Sequence, residues 1–157
     1  MSKVYRFEKV QQIHCTLDTA WDFFSDPKNL QAITPANLGF KILSPFHGDK
    51  MYPGQVIEYH VKPIPGIRLY WMTEITHVDD KRYFVDEQRF GPYSLWHHQH
   101  HFREKDGIVE MTDIVHYKIP FWFLGDIANE LFVKRQLKKI FDYRVKKVDE
   151  LFAKPVL

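Results

Sequence analysis

From Phe84 to Pro120 apolar and polar residues alternate with a two-residue period, broken only at turn residues. That pattern predicts three consecutive antiparallel strands. Gly91-Pro92 separates the first two, and Lys105-Asp106-Gly107 separates the second pair; Asp-Gly is a strong hairpin signal because a tight turn needs positive φ at its centre. Between the turns, Trp96, His98, His100 and Phe102 share one face, and Leu95, His97, Gln99 and His101 share the other. The aromatic ends mark the first face as buried. On the next strand Met111, Val115 and Tyr117 share a face with Asp113 in its middle. If both faces point the same way, two histidines and an aspartate converge inside an otherwise apolar concavity.

The rest of the chain supplies the partners of this stretch. Lys3 to Ile13 predicts a first strand, followed by a short amphipathic helix carrying Leu17, Ala20, Trp21 and Phe24, with Thr16 or Asp18 able to accept from its free amides. Asp26-Pro27 opens a second short helix, Pro27 to Ile33, ended by Thr34-Pro35. Strands are predicted over Leu38–Leu43, Gln55–Lys62, Ile67–Val78 and Arg82–Phe90. Their expected inner faces are Ile57, Tyr59 and Val61; then Leu69, Trp71, Thr73 and Ile75; then Phe84, Asp86, Gln88 and Phe90, where Tyr83 and Val85 compete for the inside. Pro63-Ile64-Pro65-Gly66 predicts a loop, because proline cannot donate to a ladder. After Pro120 the period changes, and Leu137, Ile140, Phe141, Val145, Val148 and Phe152 form a helical stripe within a helix from about Phe121 to Phe152, bent near Gly125. A stripe that long must lie on the sheet. The expected fold is α+β: one domain over residues 1–157, with a seven-stranded curved antiparallel sheet around a long C-terminal helix and two short helices after the first strand.

Composition sharpens this picture at three points. A chain of 157 residues can bury a core and still enclose a cavity. Its thirteen Phe, eight Tyr and four Trp exceed what a small core needs, so some are expected to line a cleft. The net charge of +2 is too weak a bias to argue for nucleic acid, and Lys134, Arg135, Lys138, Lys139, Arg144, Lys146 and Lys147 read as the solvated face of the last helix. Cys15 is the only cysteine, so no intramolecular disulfide can form. With no apolar leader or membrane-length apolar run, a soluble cytoplasmic protein without stable membrane insertion is expected. The sequence does not speak to oligomeric state.

The segments AWDFFSDPKNLQAITP, ITHVDDKRYFVDEQRFGPYSLWHHQHHF, EMTDIVHYKIPF and RQLKKIFDYRVKKVDELF resemble the SRPBCC, or START and Bet v 1-like, superfamily of helix-grip proteins. More narrowly, they resemble bacterial ligand-binding SRPBCC domains of polyketide cyclase-like type. The resemblance implies a hydrophobic cavity between sheet and helix. It implies no single activity, since the superfamily includes carriers, receptors and cyclases.

Three functions fit these residues. The first is binding of an apolar or amphipathic small molecule, with Tyr59, Trp71, Gln88, Trp96, His98, His100, Asp113 and Tyr117 as the site; His98, His100, Gln88 and Asp113 would orient its polar end. The second is a cyclase/dehydratase-like or hydrolase-like enzyme using a histidine and Asp113 as an acid–base pair, with Tyr59 or Tyr117 as a helper, although no GxSxG or other nucleophile motif is present. The third is a protein-interaction module with a filled core. His98, His100 and Asp113 also have the composition of a two-histidine, one-carboxylate metal site. Nothing fixes a third ligand and the resemblance supplies no metal motif, so neither metal nor cofactor is expected. Phe46, Met51, Tyr52 and Ile64, in loops at Pro45–Pro53 and Pro63–Gly66, either gate the cavity or cap the core, and Phe121–Gly125 poses the same choice.

Overall fold

The computed structural model describes residues 3–45, 50–120 and 132–153. Alternation in the sequence becomes one antiparallel sheet. Its strands are β1 (Tyr5–Ile13), β2 (Lys41–Ile42), β3 (Val56–Ile64), β4 (Ile67–Asp79), β5 (Tyr83–Phe90), β6 (Leu95–Lys105) and β7 (Ile108–Lys118). They lie in the order β1-β7-β6-β5-β4-β3-β2, so the chain's two ends of the sheet are brought together by pairing the first strand with the last. Helix α1 (Leu17–Phe24) follows β1, and helix α2 (Lys134–Phe152) closes the described chain. The sheet curves around α2, as the α+β helix-grip expectation requires.

Local chemistry explains most element ends. Thr16 caps α1, its hydroxyl accepting from the Thr19 amide at 3.2 Å. At the β6–β7 hairpin Asp106 and Gly107 have φ of 54° and 76°, the two left-handed positions that the Asp-Gly pair tolerates. The proline after Asp26 starts a 3₁₀ turn, Pro27–Leu30, and not the longer helix expected to Ile33. A second 3₁₀ turn, Ala36–Leu38, occupies the beginning of the predicted Leu38–Leu43 strand and ends at Gly39, whose φ of 53° bends the chain into the two-residue β2.

Two further departures come from irregular pairing. β3 runs through Pro63 to Ile64, where a loop was expected; the register shifts between Val61 and Ile64, so proline sits at an irregularity and no regular ladder bond is lost. On β5, Thr73 pairs with Gln88 and Met72 with Phe90, which makes Arg89 an extra residue. The bulge reverses the parity of the strand end. Phe90 therefore lies 62% exposed beside Tyr70, not on the inner face. Both Phe84 and Val85 are buried, which resolves the competition noted above in favour of neither face alone.

The core divides in two. Under α1, Trp21 packs edge-on against Phe102 and Phe84, with ring centroids 5.4 and 6.1 Å apart, and Ile13, Met111 and Val148 complete the cluster. Leu137 and Phe141 of α2 pack on Val115 and Tyr117 of β7. The helix is also tied down by polar contacts: Gln11 donates to the Val145 carbonyl at 3.0 Å, and Lys9 pairs with Asp142 at 2.8 Å. The apolar stripe predicted on α2 is therefore seated on the sheet from Leu137 onward, while its predicted start at Phe121–Gly125 and the Phe46 loop position lie outside the described residues.

Removing Trp21 tests this packing. Trp21→Ala should lose about 3–5 kcal/mol, read as a lower urea midpoint at an unchanged slope; a loss under about 1 kcal/mol would contradict a fully packed Trp21.

Candidate functional site

Strand pairing places the polar cluster. His100 lies opposite Asp113 of β7, and His98 lies opposite Asp86 of β5, so each histidine of β6 faces a carboxylate on a neighbouring strand. The side chains close into one buried array. His98 Nε2–H donates to Asp113 Oδ1 at 2.9 Å, and His100 Nε2–H donates to Asp86 Oδ2 at 2.7 Å. His98 Nδ1 lies 3.4 Å from Asp86 Oδ2. His100 Nδ1 is 3.0 Å from Asp113 Oδ1 but too poorly aligned to bond to it. The rings stand 3.7 Å apart between centroids, and Phe84 stacks on His100 at 4.1 Å.

Burial lowers the basicity of both imidazoles, and their neighbours set the two apart. Loss of water around His98, with His100 beside it, lowers its pKa below the ordinary 6.5. Burial also works against the His100 cation, but the carboxylates of Asp113 and Asp86 outweigh it and raise that pKa. The carboxyls respond in turn. Burial opposes ionisation of both, yet the histidines hold Asp113 and Asp86 below the usual carboxylate range. The geometry and the charges agree in direction: His100, between two carboxylates, is the more readily protonated of the pair, and His98 the less.

This array forms part of the wall of a cavity of about 300 Å³ between β3–β6 and α2. Tyr59, Trp71, Trp96, His98 and His100, five of the residues the sequence analysis assigned to a site, line it together. Three others do not line it. Asp113 lies behind the histidines; Tyr117 packs against Tyr5 and Tyr93; and Gln88 clamps the β5–β6 turn, donating to the Tyr93 carbonyl at 2.6 Å while its amide oxygen accepts from the Tyr93 N–H at 3.2 Å. Gln88 so fixes Tyr93, a lining aromatic that the sequence analysis did not single out. A Cβ on Gly91 would come 2.5 Å from the Gln88 amide oxygen, so the close approach requires glycine there.

The aromatic wall is built by contact among its own members. Tyr59 stacks on Trp71 at 5.8 Å, and Trp71 meets Trp96 and Tyr93 edge-on at 5.3 and 5.6 Å. Thr73 accepts from the Trp71 indole N–H and shares a hydrogen bond with the Tyr59 hydroxyl, each at 3.1 Å. From α2 come Leu137, Ile140, Phe141 and Arg144. Arg144 was expected on the solvated basic face; instead it lines the cavity with its Nε buried. Of the loop residues, Met51 is buried and Ile64 is partly exposed, and both reach the cavity, whereas Tyr52 is exposed away from it.

Donor atoms of Asp86, His98 and His100 lie within 4.8 Å of one another. Among the described residues these three, with Asp86 in the position considered for Asp113, are the set a cation could use. As they stand, the proton on His100 already joins two of them, and a cation would have to replace it.

The gripped helix, the curved sheet and the cavity between them define a helix-grip fold. No family model matches the sequence, and no curated protein does. Among solved structures, the chain is similar to the Zhui aromatase/cyclase of Streptomyces sp. R1128, at 14% identity and a TM-score of 0.71 over 99% of this chain and 97% of that one. It is similar to ginseng major latex-like protein 151 from Panax ginseng, at 14% identity and a TM-score of 0.70 over 96% and 99% of the two chains. A third is protein Ms6760 of Mycobacterium smegmatis, at 16% identity and a TM-score of 0.67 over 96% of each chain. At these identities the likeness is one of fold.

The array carries a defined pH dependence. His100, raised in the fold, adds stability that is full below its unfolded pKa near 6.5 and lost as pH rises through its folded value. Asp113 and Asp86, lowered, add stability above their unfolded pKa near 3.8, which is lost as pH falls through their folded values. His98, lowered, opposes acidification from about pH 6.5 downward. In an NMR titration the His100 ring should protonate above 6.5 and the His98 ring below it. Asp113→Asn should move the His100 midpoint down; an unmoved midpoint would break the proposed coupling.

Proposed function

We propose that this chain binds an apolar or amphipathic small molecule in the cavity between sheet and α2. The observation that carries this reading is the unfilled volume itself, about 300 Å³ beside a helix that elsewhere packs tightly. A cavity of this size, lined mostly by apolar side chains and open in part to solvent, can take up a small molecule in exchange for water. Its wall has the character of a ligand site, with aromatic and aliphatic surface for affinity and a few converging polar groups for orientation. Trp71 and Trp96 provide flat apolar faces; Thr73, His98 and His100 provide polar atoms at one side. The cavity supports this reading over that of a protein-interaction module, which would have a filled interior.

A second reading, acid–base chemistry on the bound molecule, is favoured by one feature. Two adjacent histidines face a cavity, and their surroundings make His98 the weaker base and His100 the stronger, a separation that suits a base and an acid. One fold neighbour is an aromatase/cyclase. On this chain the acid would be His100, recharged through Asp86 and Asp113, and the base would be His98. Binding comes first in either reading, and the cytoplasm is the proposed location, since the sole cysteine leaves no disulfide to protect. No helix among the described residues is long and apolar enough to cross a membrane.

Native mass spectrometry of freshly purified protein should reveal a small molecule that leaves on denaturation. Ile140→Trp, which places a larger ring into the cavity from α2, should abolish uptake of that molecule and of a neutral fluorescent dye. Undiminished uptake in Ile140→Trp would place the binding elsewhere.

A further inference from the structure

Leu137, Ile140 and Phe141 continue at helical spacing to Arg144, on the stripe that α2 turns toward the cavity. A guanidinium thus stands where the next apolar residue would be expected. It carries five N–H donors and stays charged at any pH a protein survives. Among the described residues none of these donors is bonded: Arg144 takes part in no hydrogen bond or ion pair, and its Nε is buried without an acceptor. Its one close support is the ring of Phe141, over which the guanidinium carbon lies at 4.9 Å. That contact holds the plane of the group and leaves its edges open.

The carboxylate that could answer it is already engaged. Asp86 Oδ2 accepts from His100 at 2.7 Å and is approached by His98, so its charge is shared with the array. Arg144 acts electrostatically on Asp86 and on Tyr59, which line the same cavity. Leaving buried donors of a cation unmet is expensive, and an acceptor from outside the chain removes that cost.

We infer that the cavity is selective for an organic carboxylate, whose anionic group sits on Arg144 while its aromatic or aliphatic body lies along Trp71 and Trp96. This deepens the ligand-binding reading above and rests on it. The guanidinium fork matches a carboxylate in two parallel hydrogen bonds, a geometry that a neutral amide of the same shape cannot reproduce. The Tyr59 and Thr73 hydroxyls, 3.1 Å apart on adjacent strands, bond to each other and leave one hydroxyl proton as a further donor on the same wall.

N-phenyl-1-naphthylamine, a neutral dye that brightens in apolar surroundings, can report occupancy, with 2-naphthoate and its isostere 2-naphthamide as competitors at neutral pH. In the wild type the carboxylate should displace the dye at roughly a tenfold or greater lower concentration than the amide. Arg144→Met should bring that ratio close to one, and Arg144→Lys should retain part of it. Equal potency of the two competitors in the wild type, or a ratio undiminished in Arg144→Met, overturns the carboxylate assignment while leaving the cavity reading intact. A dye that does not bind the wild type at all defeats the ligand-binding reading and the assignment with it. Should Arg144→Met fail to fold, the wild-type ratio and its reduction in Arg144→Lys decide the matter.

Discussion

Two imidazoles wedged between two carboxylates on three adjacent strands are the constraint on which the interior of this protein turns. Four ionisable groups, His98, His100, Asp86 and Asp113, lie almost wholly out of water. Each ion removed from water loses several kcal/mol of hydration, and mutual attraction repays this only when geometry is good. Here the geometry is set by the ladder: the pairs 98–86 and 100–113 are direct cross-strand neighbours, so the register that buries Phe102, Met111 and Val115 also aligns the array. A slip of one residue would turn all of these side chains outward together. Yet buried ion pairs seldom stabilise a fold more than well-packed apolar residues of similar size would. An array of this kind beside a void is better explained by what it presents to the void than by stability.

The same sheet serves two unlike halves. Where α1 crosses it, Trp21 and Phe24 fill the space above Phe84 and Phe102, and the interior is solid. Where β3 and β4 curl toward α2, no second helix is available among the described residues, and the wall is held by contacts between its own aromatic rings. His98 and His100 stand at the junction, bounded by Phe84 on the packed side and by Trp96 and Phe141 on the open one. Their environment therefore differs from that of either half. Packing fixes the rings in place, and the open side gives a second molecule access to their edges.

The seven strands, the seat of α2 and five of the eight site residues could be read from alternation, because side-chain parity is a purely local property of a strand. What could not be read is whatever depends on irregular pairing or on the far side of a neighbour. The bulge at Arg89 turns Phe90 outward, and nothing in YFVDEQRF announces an extra residue. Pro63 remains in a strand because the shift beside it spares the ladder. Asp86 shared an inner face with Gln88 in the sequence, but only the cross-strand register shows that Asp86 meets both histidines while Gln88 is spent on Tyr93. Arg144 was grouped with its basic neighbours on the helix. Its spacing of three and four from Phe141 and Ile140 was the available signal, masked by the number of cations around it.

The placement of that arginine bears on what the cavity accepts. The charges are distributed unevenly in space. Asp113 and Asp86 are bonded to the histidines, whereas among the described residues the guanidinium has no hydrogen-bond or ion-pair partner. A cation entering at Asp86, His98 and His100 would have to expel the shared proton and then sit near a fixed positive charge. An anion meets neither obstacle: it finds donors already oriented and leaves the proton in place. The array and the arginine are thus complementary devices, one closed and able to exchange a proton, the other open and able to hold the group beside which that proton moves.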